Sequence, residues 1–186
     1  HEANPIIEEN RIDIMRKVKE LGADLGIAWD ADADRAYFID ENGEFIHGDF
    51  LTALLTIQVL KANPGSNIVY DLRASNVVAD TVKAHGGVAH MQRVGHAHIK
   101  KMMRDVDAVF AGEVSGHYYF KDNAYMDNGF LPPLMILELL SESNKTLSEF
   151  IADLGDYYVS GEINSEVAQQ DTVFARLKEK YSDAAL

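Results

Sequence analysis

Asn67-Ile68-Val69-Tyr70-Asp71 decides the fold, because the four segments after it repeat its alternation with helices. Val77 to Ala84 has helical spacing and is stopped by Gly86-Gly87. Val88 to Arg93 is a second strand, Ala97 to Met103 a second helix, and Ala108 to Ala111 a third strand. Strand, helix and strand in strict succession imply crossover connections and parallel pairing. The expected class is α/β: a mixed, largely parallel sheet with helices on both faces. Upstream, Phe50 to Leu60 is apolar enough for a buried helix and ends at Asn63-Pro64-Gly65; downstream, Pro133 to Leu140 begins another helix. Ligands of such sheets gather at the carboxyl ends of the strands. Functional residues are therefore expected in the loops after Trp29, Tyr70, Gln92 and Phe110.

Outward from this core the pattern changes. Residues 10–21 have helical spacing, with Ile12, Met15, Val18 and Leu21 near one face, and Gly22 ends the helix. Leu25 to Trp29 is a short strand, and Tyr37 to Ile39 and Phe45-Ile46 bracket Asp40-Glu41-Asn42-Gly43, where Asn-Gly signals a tight hairpin. At the other end, Leu147 to Leu154 is a short helix and Tyr157 to Ile163 has strand-like content. Residues 164–186 are polar, with a helix from Thr172 to Tyr181, and suit the opening of another domain or a loosely attached tail.

Composition narrows the function. The 186 residues are 47% hydrophobic and 25% charged, ordinary globular values. The absence of cysteine excludes a disulfide framework and a thiolate zinc site, and agrees with a reducing, cytoplasmic setting. No membrane span is expected, since the apolar run Leu131 to Leu140 is short and interrupted by Glu138. A net charge of −13 argues against a nucleic-acid partner, which would need clustered Lys and Arg. An anionic small substrate would need local positive charge instead.

The densest chemistry lies in Asp30-Ala31-Asp32-Ala33-Asp34-Arg35, between two apolar segments. In an extended backbone residues i, i+2 and i+4 share a side, so Asp30, Asp32 and Asp34 face one point. Three crowded carboxylates repel, and a hard divalent cation such as Mg²⁺ or Mn²⁺ removes that cost. A solvated acidic turn fits one or two acids but not this alternation beside an arginine. A calcium loop finds Glu41 at its twelfth position, but Arg35 stands where it needs glycine and the flanks are strands.

Two further clusters follow strands. Gly112-Glu113-Val114-Ser115-Gly116-His117 offers an acceptor, a hydroxyl and an imidazole at alternate positions, a set suited to sugar hydroxyls. It is not a serine-hydrolase elbow, since Gly112 stands three residues before Ser115 and Gly116 directly after it. A glycine-rich turn whose polar groups cap neighbouring backbone is the plain alternative. In Arg93-Val94-Gly95-His96-Ala97-His98-Ile99-Lys100, Gly95 and His96 stand at a helix N-terminus, where free N–H groups favour an anion. Arg93 and Lys100 could add charge there, while His98 reads as structural or exposed. Arg73, after Asp71, is a phosphate or loop contact or one half of a buried ion pair.

The loop Asp-x-Asp-x-Asp-Arg, then Val-Gly-His-x-x-Ile-Lys, then Gly-Glu-x-Ser-Gly-His, in that order, resembles the α-D-phosphohexomutase superfamily, most closely its bacterial phosphomannomutase and phosphoglucomutase branch. The resemblance implies that residues 1–47 are the C-terminal part of that family's domain 2. It makes 48–155 domain 3, and 156–186 the linker and start of domain 4, part of a second similar domain. It implies that Asp30, Asp32 and Asp34 bind Mg²⁺, which would also take an oxygen of a phosphoserine, with Arg35 as the catalytic residue beside that phosphoryl group. Glu113 and Ser115 would contact the sugar's 3- and 4-hydroxyls, with His117 nearby, and Arg73, Gly95 and His96 would face the substrate.

The implied reaction interconverts mannose or glucose 6-phosphate and 1-phosphate, through a phosphoserine enzyme and a hexose 1,6-bisphosphate that also serves as activator. Two departures stand out. Ala31 occupies a position where the family usually has glycine, which predicts some loop distortion. Neither a Ser-His-Asn-Pro type segment nor an arginine- and serine-rich phosphate loop is found in the sequence. An internal fragment that is inactive without the other domains of its parent chain is therefore expected. A non-catalytic Mg²⁺- or phosphosugar-binding module is the alternative, and an aspartyl phosphatase ranks last.

Overall fold

In the computed structural model, which describes residues 3–159 and 165–182, two sheets meet along the loops singled out above. Helix α1 (Glu8–Leu21) ends at Gly22, whose φ of 59° carries its N–H back to Lys19 and Val18 carbonyls. Strands β1 (Leu25–Trp29), β2 (Ala36–Asp40) and β3 (Phe45–Ile46) form an antiparallel sheet in that order. The Asn42-Gly43 turn between β2 and β3 is held by Asp40, which accepts from the Asn42 and Glu44 N–H groups.

The second sheet is built from β4 (Asn67–Asp71), β5 (Val88–Gln92), β6 (Phe110–Gly112), β7 (Tyr118–Phe120) and β8 (Met126–Asp127). Its order is β5-β4-β6-β7-β8. The first three run parallel, as the crossover helices α3 (Asn76–Ala84) and α4 (His96–Asp105) require; β7 and β8 return antiparallel. Successive side chains alternate across the sheet. Ile68, Phe110 and Tyr118 join Leu51, Leu55 and Val78 on the face of α2 (Gly48–Ala62) and α3. Val69, Ala111 and Tyr119 join Ile99 and Met103 of α4 on the other. Helices therefore cover both faces. Ala36, Phe38 and Ile46 of the small sheet belong to the first cluster, so the two sheets share one core. Helices α5 (Leu131–Ser141) and α6 (Leu147–Asp153) add Ile136 and Leu147 to it.

The structure departs from the sequence reading in four places. On α1 only Val18 is buried; Ile12 and Leu21 are exposed, at 54% and 68%, and the inward face is shared by Ile14 and Met15. The Tyr118–Phe120 and Met126–Asp127 strands have no counterpart in the sequence pattern, because two- and three-residue strands are too short to show a period. The third strand starts at Phe110 rather than Ala108, whose N–H still closes the end of α4 on Met103. Tyr157 to Val159 have no regular structure; the rest of the expected strand, 160–163, lies outside the described residues, as does His1. The tail helix α7 (Gln170–Lys180) buries none of its residues. No helix among the described residues is long and apolar enough to cross a membrane.

Candidate functional site

The Asp30–Arg35 loop joins β1 to β2 and is bent rather than extended. Its turn is closed by the Ala33 N–H on the Asp30 carbonyl, with Ala33 at φ 58°. Ala31 is not among the residues with positive φ. The distortion expected from lacking glycine there does not arise, because the left-handed conformation falls two residues later. Wrapping achieves what alternation alone suggested: Asp30, Asp32 and Asp34 offer oxygens within 4.8 Å of one another. Arg35 supplies the one cation in the loop, its Nε 2.6 Å from Asp30 Oδ2 and 3.8 Å from Asp34 Oδ1. Its backbone N–H also donates to Asp30 Oδ1 at 3.2 Å. Burial pushes the Asp30 carboxyl up, but the Arg35 hydrogen bonds and charge outweigh it and hold it below the usual range. Asp34 goes the other way. Burial raises its carboxyl, and the charges of Asp30, Asp32 and Asp127 raise it further against the opposing pull of His117. Net negative charge left over after one arginine, offered by hard oxygens, fits a divalent cation.

Glu113 to His117 form the turn between β6 and β7, not an extended loop: Gly116, at φ 88°, donates its N–H to the Glu113 carbonyl. The three side chains still meet. Ser115 Oγ is 3.0 Å from His117 Nδ1, and that nitrogen is 3.6 Å from Glu113 Oε2. Glu113 is 2% exposed and accepts from the Gly95 N–H at 3.1 Å and the Tyr119 hydroxyl at 2.5 Å. This turn docks on the small sheet. Ala36 N–H donates to the Gly116 carbonyl, Tyr37 hydroxyl to the Ser115 carbonyl, and Arg35 pairs with His117 in a β-bridge. As a result His117 Nε2 lies 3.7 Å from Asp34 Oδ2, linking the two clusters. On the loop's other flank, Trp29 Nε1 donates to the Gly129 carbonyl at 2.6 Å, and a Cβ at Gly129 would overlap the Ala33 carbonyl.

Gly95 caps α4 at φ 122° and His96 opens it, as expected at a helix N-terminus. His96 is exposed, and no hydrogen bond joins it to the other candidates among the described residues. Arg93 leans on His98 Nδ1 at 3.2 Å, and Lys100 is paired with Asp127 at 2.9 Å, so neither points its charge freely at the helix start. Arg73 is ion-paired, Nη2 to Asp71 Oδ2 at 3.0 Å. The fully buried Asp71 also accepts the Val114 N–H at 2.7 Å, tying the Arg73 loop to the Glu113 turn. Arg73 and Ser115 both line a crevice of about 590 Å³ with Arg11, His47 and Ser75.

Sequence reading does not place Asp71, Tyr119 or Asp127 at the site, and Lys100, expected to add charge at the helix start, pairs with Asp127 instead. For Tyr119 a signal existed, since it stands two residues beyond His117 and falls on the same side. Asp127 is within 4.8 Å of Asp34 and His117; burial raises its carboxyl, but the Lys100 hydrogen bond prevails and holds it low. His47 bonds the buried Asp49, His85 the Thr81 carbonyl and His90 the Asn67 amide.

A mixed-sheet α/β body whose strand-end loops converge on an acidic loop from a second sheet is the architecture these residues define. The chain belongs to the phosphoglucomutase/phosphomannomutase family. The profile of that family's alpha/beta/alpha domain III matches residues 47–158, and that of domain II matches residues 1–43. The phosphomannomutase of Methanocaldococcus jannaschii is 41% identical over 186 residues, covering 100% of this chain and 41% of that protein. The phosphomannomutase of Escherichia coli is 43% identical over 184 residues, 98% of this chain and 40% of that protein. Among solved structures, a phosphoglucomutase/phosphomannomutase family protein of Burkholderia thailandensis superposes with a TM-score of 0.78 at 33% identity, covering 84% of this chain and 34% of that one. The chain thus spans about 40% of the length of the curated relatives it matches.

Proposed function

We propose that this chain is the metal- and sugar-recognition part of a phosphosugar mutase that interconverts mannose or glucose 6-phosphate and 1-phosphate. The observation that carries the proposal is the 3.7 Å approach of His117 to Asp34, which sets the acidic loop and the sugar-type turn at one site. On this reading residues 1–47 close the family's second domain, 48–155 make its third and 156–186 open its fourth. Asp30, Asp32 and Asp34 hold Mg²⁺, which when bound supplies positive charge to offset that developing on a transferred phosphoryl group. Arg35, steadied by Asp30, stands beside that group. Glu113 and Ser115 accept and donate to the sugar hydroxyls, with His117 between them and the acidic loop. Arg73, Gly95 and His96 position the substrate's anionic end.

The reaction proposed breaks the P–O bond of an enzyme phosphoserine and forms one to the free hydroxyl of a hexose phosphate. The resulting 1,6-bisphosphate turns over and returns its other phosphate to the serine. Because no serine of the expected type lies in these 186 residues, the chain alone does not complete the cycle. Phosphorus NMR of mannose 1-phosphate with Mg²⁺ and a hexose 1,6-bisphosphate activator tests this. Conversion by the whole gene product but not by the 186 residues is expected. Multiple turnover by the 186 residues alone overturns the division of labour. Binding without conversion by either overturns the mutase reading in favour of a non-catalytic module.

A further inference from the structure

We propose that the Tyr119 hydroxyl is a positioning group for sugar recognition, fixing the Glu113 carboxylate so that its remaining lone pairs are held in one orientation for the substrate. The inference rests on the reading of Glu113 as a sugar contact. Glu113 is almost wholly buried, and each of its oxygens has one donor from a different element: the Gly95 N–H on Oε1 and the Tyr119 hydroxyl on Oε2. A carboxylate held at both oxygens from two directions cannot swivel, yet each oxygen keeps a second acceptor site. Tyr119 is equally fixed. It is 0% exposed, paired across the sheet with Ala111 and Asp127, and its ring has the His117 ring near it, with centroids 6.2 Å apart, and the Lys100 ammonium 5.6 Å from its centroid. Burial, then the neighbouring Glu113, push its hydroxyl well above the ordinary range, so it stays protonated and serves as a donor.

The hydroxyl also settles a competition. His117 Nδ1 lies 3.6 Å from Glu113 Oε2 but 3.0 Å from Ser115 Oγ. With the Tyr119 hydroxyl holding Oε2 at 2.5 Å, the imidazole bonds Ser115 and stays beyond hydrogen-bond distance of the carboxylate, which keeps the serine hydroxyl and the carboxylate as separate contacts. Without the Tyr119 hydroxyl, Oε2 becomes the better partner for the imidazole, and the two sugar contacts merge.

Tyr119→Phe tests this in the chain as its gene encodes it, since the ring packing is retained. Steady-state kinetics are compared for mannose 1-phosphate and its 3-deoxy and 4-deoxy analogues. The parent is expected to lose about tenfold in kcat/KM on one or both analogues, as a lost bond to a charged group implies. Tyr119→Phe is expected to lose about tenfold on mannose 1-phosphate itself, mostly through KM, with the deoxy penalty shrinking to about twofold. In a Glu113→Gln background the Tyr119→Phe change costs nothing further, and the melting temperature stays near that of the parent. Losses that simply multiply overturn the proposal: they show that Tyr119 acts on the fold and not through Glu113. An unchanged kcat/KM in Tyr119→Phe overturns it too. A parent chain indifferent to both deoxy analogues sinks the reading of Glu113 itself, and this inference with it; the two failures are distinguished by the parent's behaviour.

Discussion

Two loops with the same sequence pattern, Asp30 to Asp34 and Glu113 to His117, end in opposite electrostatic states. Both follow a strand, both carry polar side chains at alternate positions, and both are bent by a residue at positive φ, Ala33 in one and Gly116 in the other. In the acidic loop the carboxylates exceed the available cations, and Asp34 is left with an upward-pushed carboxyl. In the other turn the protein supplies a first partner to each group: Glu113 has two donors, and Ser115 is matched with His117. The difference lies in the surrounding donors, not in the spacing. A pattern of alternating polar residues shows that groups converge; it does not show whether they remain open to a ligand.

The sharpest way to break that contrast is to remove ligands from each side. Asp32→Ala or Asp34→Ala is expected to cost about 100-fold or more in Mg²⁺ affinity by calorimetric titration. Ser115→Ala is expected to leave that affinity within about twofold while raising KM for the sugar phosphate about tenfold. Equal Mg²⁺ losses from both loops would erase the distinction. Next in size is Gly129→Ala, whose new methyl would collide with the Ala33 carbonyl and the Trp29 ring. Overpacking of this kind costs about 1–3 kcal/mol, so thermal unfolding should move down by about 3–10 °C.

Acid titration sharpens the point about satisfied carboxylates. Burial pushes buried Asp49 up, but hydrogen bonds from His47 and Ser75 prevail and leave it lowered. A carboxyl with a lowered native pKa contributes stability that is complete above its unfolded value, about 4, and is lost as pH falls through the native one. Asp49→Asn should therefore flatten the acid limb of a melting-temperature curve below about pH 4. The smallest expected effect separates the two alanines of the acidic loop. Ala33→Gly relieves a left-handed alanine and should gain about 0.5 kcal/mol, whereas Ala31→Gly should lose a few tenths by chemical denaturation.

Much of this was legible because it depends on local chemistry. The β4–α3–β5–α4 alternation, the Gly22 cap and the Asn42-Gly43 hairpin each follow from residues adjacent in sequence. The convergence of the three aspartates was also legible, although the backbone reaches it by bending instead of extending. What sequence could not supply was partners from afar. Asp71 holding Val114, Glu113 receiving Gly95, and Lys100 neutralising Asp127 each join segments 18 to 43 residues apart. Helix α1 teaches a related lesson. Its period marks an apolar face, but periodicity alone does not say how much of that face the chain itself covers, and Ile12 and Leu21 remain exposed.

Trp29 is the single tryptophan of the chain, and it stands at the last position of β1, immediately before Asp30. Its indole is hydrogen-bonded to Gly129 and packed 5.6 Å from the Phe130 ring, between the acidic loop and the start of α5. The molecule thus carries its own optical reporter at the seam between its two sheets. Any rearrangement of that seam, whether from an ion settling among the aspartates or from one sheet tilting on the other, is written into its emission without a label.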